Sequence, residues 1–246
     1  MENKVNHNIP EIKADFSEEE NGKWGLVIDQ DLCTGCNACV AACSMENNVS
    51  FVGEEDAGYG RAMHWIRIER FWEGEYPEVE MTPYQPVMCQ QCGEAPCEPV
   101  CPVFASVHSQ TQEINAQVYN RCVGTRYCGN NCPYQVRVFN WRDYERPDPL
   151  HNQFNPDVTV RQRGIMEKCT FCIQRIRRTE DVAKSEGREV ADGEIQTACV
   201  QACPANAIVF GRVDDPESKV SQLSGDRSGH LLLPEVDTKP RVTYLE

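Results

Sequence analysis

The chain has 246 residues, a net charge of −14 and fifteen cysteines. The acidic balance excludes a nucleic-acid partner, because phosphate backbones require a basic face. A disulfide scaffold is disfavoured too, since the chain is long, the cysteine count is odd, and Met1 is followed by polar residues rather than a secretory signal. Hydrophobic residues make up only 40% even with the cysteines included, so we expect folding to depend on bound metal.

In chain order, residues 1–23 predict an acidic N-terminal tail, and GLVID at 25–29 predicts a buried strand. A cysteine loop and a short helix over Ala38 to Met45 follow at once. Short apolar segments recur beside later cysteines, at 136–141, 164–168 and 207–211. This repetition of motif favours duplicated ferredoxin-like units.

The cysteines fall into four groups that are typical of iron-sulfur binding loops. Three closely spaced thiolates let one loop bind three irons of a cube, while the fourth sulfur binds a different cluster in two-cluster ferredoxins. The groups are Cys33, Cys36, Cys39 and Cys43; Cys89, Cys92, Cys97 and Cys101; Cys122, Cys128 and Cys132; and Cys169, Cys172, Cys199 and Cys203. The third group has Thr125 where the spacing reserves a place for a thiolate. Each of the last three groups ends in Cys-Pro, and proline stops a helix from continuing past that sulfur.

Crossed ligation, between the first and fourth groups and between the second and third, assigns every thiolate to one of four sets. Set 1 is Cys33, Cys36, Cys39 and Cys203, and set 2 is Cys43, Cys169, Cys172 and Cys199. Set 3 is Cys89, Cys92, Cys97 and Cys132, and set 4 is Cys101, Cys122 and Cys128. The interpretation is that sets 1 to 3 each bind a [4Fe-4S] cluster.

Set 4 has only three thiolates, and Thr125 stands at the vacant ligand position. A neutral hydroxyl is a hard, weak ligand where sulfide-bridged iron prefers thiolate. We therefore predict a [3Fe-4S] cluster at set 4. Structural zinc is the rival interpretation of the cysteine pairs, because C-x2-C also builds zinc ribbons.

The segments between the motifs predict two insertions, at 51–85 and 142–163. Within the first, the alternation of residues 64–71 predicts a strand, with residues 79–84 returning as its partner after a turn at EGEYP. The second is rich in Pro, Asn and Asp and predicts an irregular connection. Residues 213–246 are polar and predict an extended C-terminal tail.

Positive charge is concentrated in one part of this acidic chain. From residue 121 to residue 178 there are eleven Lys and Arg against five Asp and Glu. These cations are either solvated surface charges or partners of anionic clusters or of another subunit. The chain has no dinucleotide or phosphate-binding fingerprint, its five histidines lack ligand spacing, and no catalytic residue is predicted.

The order of the four groups resembles that of the iron-sulfur subunit of the complex iron-sulfur molybdoenzyme superfamily. The resemblance is carried by the last group, C-x2-C-x26-C-x3-C-P, and by the segment from Cys122 to Trp141, CVGTRYCGNNCPYQVRVFNW. The chain is most similar to the subunit of alternative complex III and of the periplasmic quinone reductase complex. The resemblance covers roughly residues 24–215. It implies an α+β fold of two interleaved bacterial-ferredoxin-like βαβ modules, 24–50 with 164–212 and 86–141, within one domain at 24–212.

The resemblance also implies a non-catalytic electron-transfer subunit of a quinone-linked respiratory complex. The set 1 cluster then faces a large molybdopterin-oxidoreductase-like subunit, and the set 4 cluster faces a polytopic quinone-binding membrane subunit. A multihaem cytochrome c is a further candidate partner. No run of about 20 apolar residues predicts a membrane span. We expect a peripheral protein on the periplasmic side of the cytoplasmic membrane, with the cytoplasmic face as the alternative, and a free polyferredoxin-like carrier as the alternative function.

Overall fold

The computed structural model describes residues 24–81, 83–109, 114–144, 146–225 and 228–246, and the predicted tail at 1–23 lies outside these ranges. The described chain is a mixture of short strands and few helices. The strands are β1 (Trp24–Asp29), β2 (Arg67–Glu69), β3 (Trp72–Glu75), β4 (Glu78–Met81), β5 (Gln85–Val87), β6 (Ser106–His108), β7 (Asn115–Gln117), β8 (Val138–Phe139), β9 (Met166–Glu167), β10 (Ile208–Arg212) and β11 (Val242–Leu245). The helices are α1 (Ala38–Glu46), α2 (Glu54–Gly58), α3 (Tyr127–Asn130), α4 (Ile173–Glu186), α5 (Ala198–Gln201) and α6 (Lys219–Ser224).

A three-stranded sheet with the order β10-β1-β11 joins the two ends of the described chain. The predicted strand at 25–29 is β1, whose apolar run is buried nearly throughout. It pairs antiparallel with β10 and parallel with β11. The predicted helix over 38–45 is α1, which packs against α5. These contacts bring the first cysteine loop beside the last one.

The prediction of an extended C-terminal tail at 213–246 is wrong. This segment contains α6 and ends in β11, where Val242 and Tyr244 are fully buried. The Tyr244 hydroxyl donates a hydrogen bond to the carbonyl of Pro86 at 2.9 Å and accepts one from the Gln90 amide at 3.3 Å. Through these hydrogen bonds of Tyr244, the C-terminal strand connects the sheet to the segment that leads into the second cysteine group.

The predicted pairing of residues 64–71 with 79–84 is also wrong. Strand β2 lies within the first segment, but it pairs antiparallel with β5. Between them, β3 and β4 form a separate hairpin closed by a two-residue turn at Tyr76 and Pro77. All residues of this hairpin's strands are exposed, with cross-strand Glu pairs on one face and Trp72, Val79 and Met81 on the other.

The remaining strands form two-stranded sheets, β6 with β7 and β8 with β9. The apolar segments at 136–141 and 164–168 supply β8 and β9, so a strand from each predicted module pairs across the boundary. The insertion at 142–163 contains only one short 3-10 helix in its described part, Leu150–Gln153. The division into two interleaved modules stays a prediction. In the part of the chain that the structure describes, no helix has the length and apolarity to cross a membrane.

Replacing Tyr244 with Phe is expected to lower the free energy of unfolding by about 1–3 kcal/mol, because the carbonyl of Pro86 loses its buried donor. Urea unfolding followed by tryptophan fluorescence measures this change. Tyr76→Phe is the matched control, since Tyr76 is 92% exposed at the hairpin turn. Equal stability of the two variants would contradict this role for the C-terminal strand.

Candidate metal centres

The four cysteine loops repeat one backbone conformation. In each loop, the residue just before the second ligand position has a left-handed backbone, with φ of 63° at Gly35, 48° at Gln91, 72° at Gly124 and 53° at Phe171. Thr125, which follows Gly124, therefore occupies the place that Cys36 has in the first loop.

A second repeat follows the three Cys-Pro pairs. The residue three positions after the cysteine is again left-handed, at Phe104, Gln135 and Asn206. The next N–H then donates to the cysteine sulfur, from Ala105 to Cys101 at 3.1 Å and from Ala207 to Cys203 at 3.3 Å. Val136 donates to Cys132 in the same way. Such donors stabilise the thiolate form of each sulfur.

The thiols of set 1 come together from the first and last cysteine groups. Burial raises the pKa of Cys39 to about 11, and this rise includes a smaller contribution from neighbouring charge at Cys33, Cys203 and Cys36. Cys33 likewise interacts with Cys203 and Cys36. The structure therefore brings all four predicted set 1 residues within electrostatic reach of one another.

The thiols of set 2 are gathered in the same manner and are more deeply buried. Burial raises the pKa of Cys43 well above its usual value, and three further thiols add to the effect: Cys169, Cys172 and Cys199. The side-chain amide of Asn47 lies 3.6 Å from the sulfur of Cys43 and 3.8 Å from that of Cys172. This amide is one donor shared by two sulfurs of the set.

The thiols of set 3 surround a small cavity. Its lining includes Cys89, Cys92, Cys97 and Cys132. Burial raises the pKa of Cys92 to about 12, and charge at the other three cysteines contributes. The four predicted residues of set 3 are thus brought together around one space.

Set 4 is assembled in part. Cys128 lies near Cys122, and both pack beside Cys97 of set 3 in a small apolar cluster. Burial opposes ionisation of Cys101, but backbone N–H donors and the charge of Arg137 lower its pKa overall. Cys101 is therefore linked to this region through Arg137, and Thr125 is exposed in the loop between Cys122 and Cys128.

Two of the buried cations beside these thiols were not singled out by sequence reasoning. Of the eleven cations between residues 121 and 178, Arg137, Arg161 and Lys168 are less than 9% exposed. Arg161 forms a buried ion pair with Glu167 at 2.8 Å. Arg137 instead donates to the sulfur of Cys97 at 3.0 Å, and Lys168 donates to the backbone carbonyls of Asn115 and Cys169. Lys168 directly precedes Cys169, but Arg137 lies five residues after Cys132, so no local signal in the sequence singled it out.

The donor set fits iron-sulfur clusters. All fifteen cysteines are free thiols. Burial raises the pKa of most of those whose shift is resolved, so metal is needed to hold them as thiolates, which are the soft ligands that iron-sulfur clusters use. Among the described residues, no three His, Cys, Asp or Glu side chains gather closely enough to bind one single ion. A cube differs from such a site because its thiolates bind separate irons.

Comparison with known proteins agrees with this chemistry. Residues 32–105 match the family model described as a 4Fe-4S dicluster domain. The chain is 42% identical over 228 residues to the menaquinone reductase iron-sulfur cluster-binding subunit of Nitratidesulfovibrio vulgaris, covering 91% of this chain and 88% of the relative. The chain belongs to the iron-sulfur subunits of the complex iron-sulfur molybdoenzyme superfamily.

Other members of this family serve different complexes. The arsenate respiratory reductase iron-sulfur subunit ArrB of a Shewanella species is 33% identical, over 91% of this chain and 96% of its own length. The iron-sulfur subunit of a putative dimethyl sulfoxide reductase of Halobacterium salinarum is 38% identical, over 90% and 78%. Like these subunits, the chain transfers electrons within an oxidoreductase complex and is not a catalyst by itself. The predicted family and the non-catalytic role are confirmed.

Replacing Gly124 with Ala is expected to disrupt the loop of the third cysteine group. A Cβ atom there would lie 2.3 Å from the backbone carbonyl oxygen of Gly164, and φ is +72°. The variant should lose part of its iron and melt at a lower temperature, measured by iron content and thermal unfolding.

Gly60→Ala is the matched control for this change. Gly60 has a φ of +71° but nothing within 4 Å of its added Cβ, so it carries only the cost of left-handed backbone, about 1–2 kcal/mol. If both variants kept their full iron content and lost equal stability, the close approach of Gly124 to Gly164 would have no role in the site.

Proposed function

We propose that this chain conducts single electrons through three [4Fe-4S] clusters, bound by sets 1 to 3, and one [3Fe-4S] cluster, bound by set 4. The electrons pass between a large molybdopterin-oxidoreductase-like or cytochrome subunit at set 1 and a quinone-binding membrane subunit at set 4. The observation that carries this proposal is the convergence of cysteines from opposite ends of the chain, such as Cys39 with Cys203 and Cys43 with Cys169. A reduced cluster differs from an oxidised one by a single electron, and the protein's part is to bind and tune it.

The [3Fe-4S] assignment is supported by the loop around Thr125. Left-handed residues flank Thr125 on both sides, Gly124 and Arg126, as Gly35 and Asn37 flank Cys36. The loop thus keeps the shape of a ligand loop while it carries a weak ligand. Fewer thiolates mean less negative charge around the iron, so this cluster should accept an electron more readily than its neighbours. That property suits exchange with a quinone.

Three exposed apolar side chains that lie near set 4 cysteines in the sequence support a partner at that end, and we call these three residues the apolar patch. Phe104, Val123 and Tyr127 are between 59% and 69% exposed, and each lies within three residues of a set 4 cysteine. Exposed apolar patches mark interaction sites, and aromatic residues are enriched at protein interfaces. We propose that this apolar patch binds the membrane subunit and so holds the protein at the membrane. The proposed location is the periplasmic face, which the chain would reach by export together with a partner. The cytoplasmic face is the alternative location.

Purification of the tagged chain from solubilised membranes tests the assembly. We expect the large subunit and the polytopic subunit to co-purify, and iron with acid-labile sulfide to be present in place of zinc. A monomer recovered only from the soluble fraction would instead identify the free polyferredoxin-like carrier, and stoichiometric zinc without sulfide would overturn both functions.

A variant of the apolar patch makes the assembly test specific. Phe104→Asn combined with Val123→Ser should reduce recovery of the membrane subunit while the large subunit still co-purifies, because Asn tolerates the left-handed backbone at position 104. Tyr76→Ser is the control, since Tyr76 is also exposed, at 92%, but lies on the hairpin of β3 and β4. Equal losses of both subunits in the two variants would remove the patch from the proposal.

Replacing Thr125 with Cys tests the cluster type. The added thiolate should convert the [3Fe-4S] cluster toward [4Fe-4S], so its oxidised-state EPR signal falls, the iron content rises, and its reduction potential becomes more negative. Val123→Cys is the matched control, because it adds a thiol to the same loop outside the ligand position. An unmodified protein without a [3Fe-4S] signal, or a Thr125→Cys protein with an unchanged potential, would contradict the assignment.

A further inference from the structure

Arg137 lies at the junction between sets 3 and 4. It follows the Cys-Pro turn of the third group and is 8% exposed. Its guanidinium donates to four side chains: the amide oxygens of Gln117 at 2.9 Å and Asn115 at 3.1 Å, the hydroxyl of Ser106 at 2.6 Å, and the sulfur of Cys97 at 3.0 Å. The neutral acceptors come from β6 and β7, which hold the guanidinium against the sulfur.

The same guanidinium reaches the ligands of the neighbouring set. Cys128 packs with Cys97 in one apolar cluster, and the charge of Arg137 acts on Cys128 and on Cys101. Cys97 belongs to set 3, whereas Cys128 and Cys101 belong to set 4. One cation therefore donates a hydrogen bond to a sulfur of set 3 and acts electrostatically on two sulfurs of set 4.

The charge of Arg137 is balanced by sulfur. A buried cation is strongly destabilising unless anionic or hydrogen-bonding partners offset its lost hydration. The four acceptors at hydrogen-bonding distance include no carboxylate, in contrast to Arg161, which pairs with Glu167. Burial favours the neutral form of Arg137, but negative charge at Cys97, Cys128, Cys89 and Cys132 raises its pKa overall.

We propose that Arg137 is a shared positioning residue that raises the reduction potentials of the set 3 and set 4 clusters together. An electron that arrives on either cluster adds one negative charge, and a fixed cation in a low-dielectric interior stabilises that charge. The rigid guanidinium also holds one sulfur and three oxygen acceptors in a fixed arrangement, which a lysine ammonium on a flexible stem does less well. This inference rests on the proposed function, because it requires clusters at both sets.

Two substitutions separate charge from shape. Arg137→Met keeps an unbranched side chain of similar length without the charge, and Arg137→Lys keeps the charge without the planar fork. Each variant is purified as the assembled protein, assayed for iron and sulfide, and titrated by EPR. In Arg137→Met, both potentials should become more negative by at least the equivalent of a tenfold change in the oxidised-to-reduced equilibrium, which is 59 mV for one electron. Arg137→Lys should shift both by less.

Each possible result decides the inference. The set 1 cluster is an internal control, since its cysteines are not among the thiols that act on Arg137, and its potential should stay constant. Full cluster content with unchanged potentials in Arg137→Met, or a shift at only one of the two clusters, would overturn the shared role. If Arg137→Met loses clusters, Arg137→Lys decides: both clusters present with near-native potentials support the inference, and loss of both indicates a purely structural role. Clusters missing from the unmodified protein would refute the proposed function instead.

Discussion

The fold depends on burying thiols that must be negatively charged. Burial raises the pKa of Cys39, Cys43, Cys92 and Cys169, so each would stay protonated in the folded chain without a positive partner. All four of these cysteines are also part of the largest apolar core, which includes residues of β1 and α1. Bound iron therefore neutralises the thiolates, and the clusters also occupy space within that core. The free energy of metal binding becomes free energy of folding.

The loops stabilise the thiolates through the backbone. Left-handed residues that are not glycine, such as Gln91 and Phe171, cost of order 1 kcal/mol or more each and persist where the surroundings determine them. The same conformation recurs just before the second ligand position in every loop, and in two of the loops Gly35 and Gly124 adopt it without this cost. The turns of the first and fourth loops also point a backbone N–H at sulfur, from Gly35 to Cys33 and from Phe171 to Cys169, which favours the thiolate. Local strain and thiolate stabilisation are thus two results of one repeated conformation.

The features that could be predicted from the sequence are those determined by residues close together along the chain. Cysteine spacing and the Cys-Pro pairs determine loop geometry within a few residues, and the strand and helix around the first loop, β1 and α1, follow from short apolar runs. The place of β11 was not readable, because its partner β1 lies at the other end of the chain and the strand is a four-residue run within a mostly polar segment. The pairing of β2 with β5 was missed for a related reason: the two-residue turn at Tyr76 and Pro77 closes a hairpin inside it.

Arg137 shows the same limit at the site itself. In the sequence it is one of eleven cations in a basic segment, and nothing local distinguishes it from Arg161 or Lys168. The fold separates them by their partners. Arg161 is neutralised by Glu167, whereas Arg137 and Lys168 bond to sulfur, amide and carbonyl acceptors that carry no carboxylate charge.

This arrangement fits a chain whose net charge is −14 while its buried cations lie beside the cysteines. Acidic residues on the outside, such as those on the hairpin of β3 and β4, are screened by water and salt. The interior cations are not screened, so they act fully on charge that appears near them. Arg137, which has no carboxylate partner among the described residues, can stabilise negative charge added at a neighbouring cluster. Arg161 largely loses this effect because it is paired with Glu167. The pattern of pairing, more than the number of cations, is what determines where an added electron is stabilised.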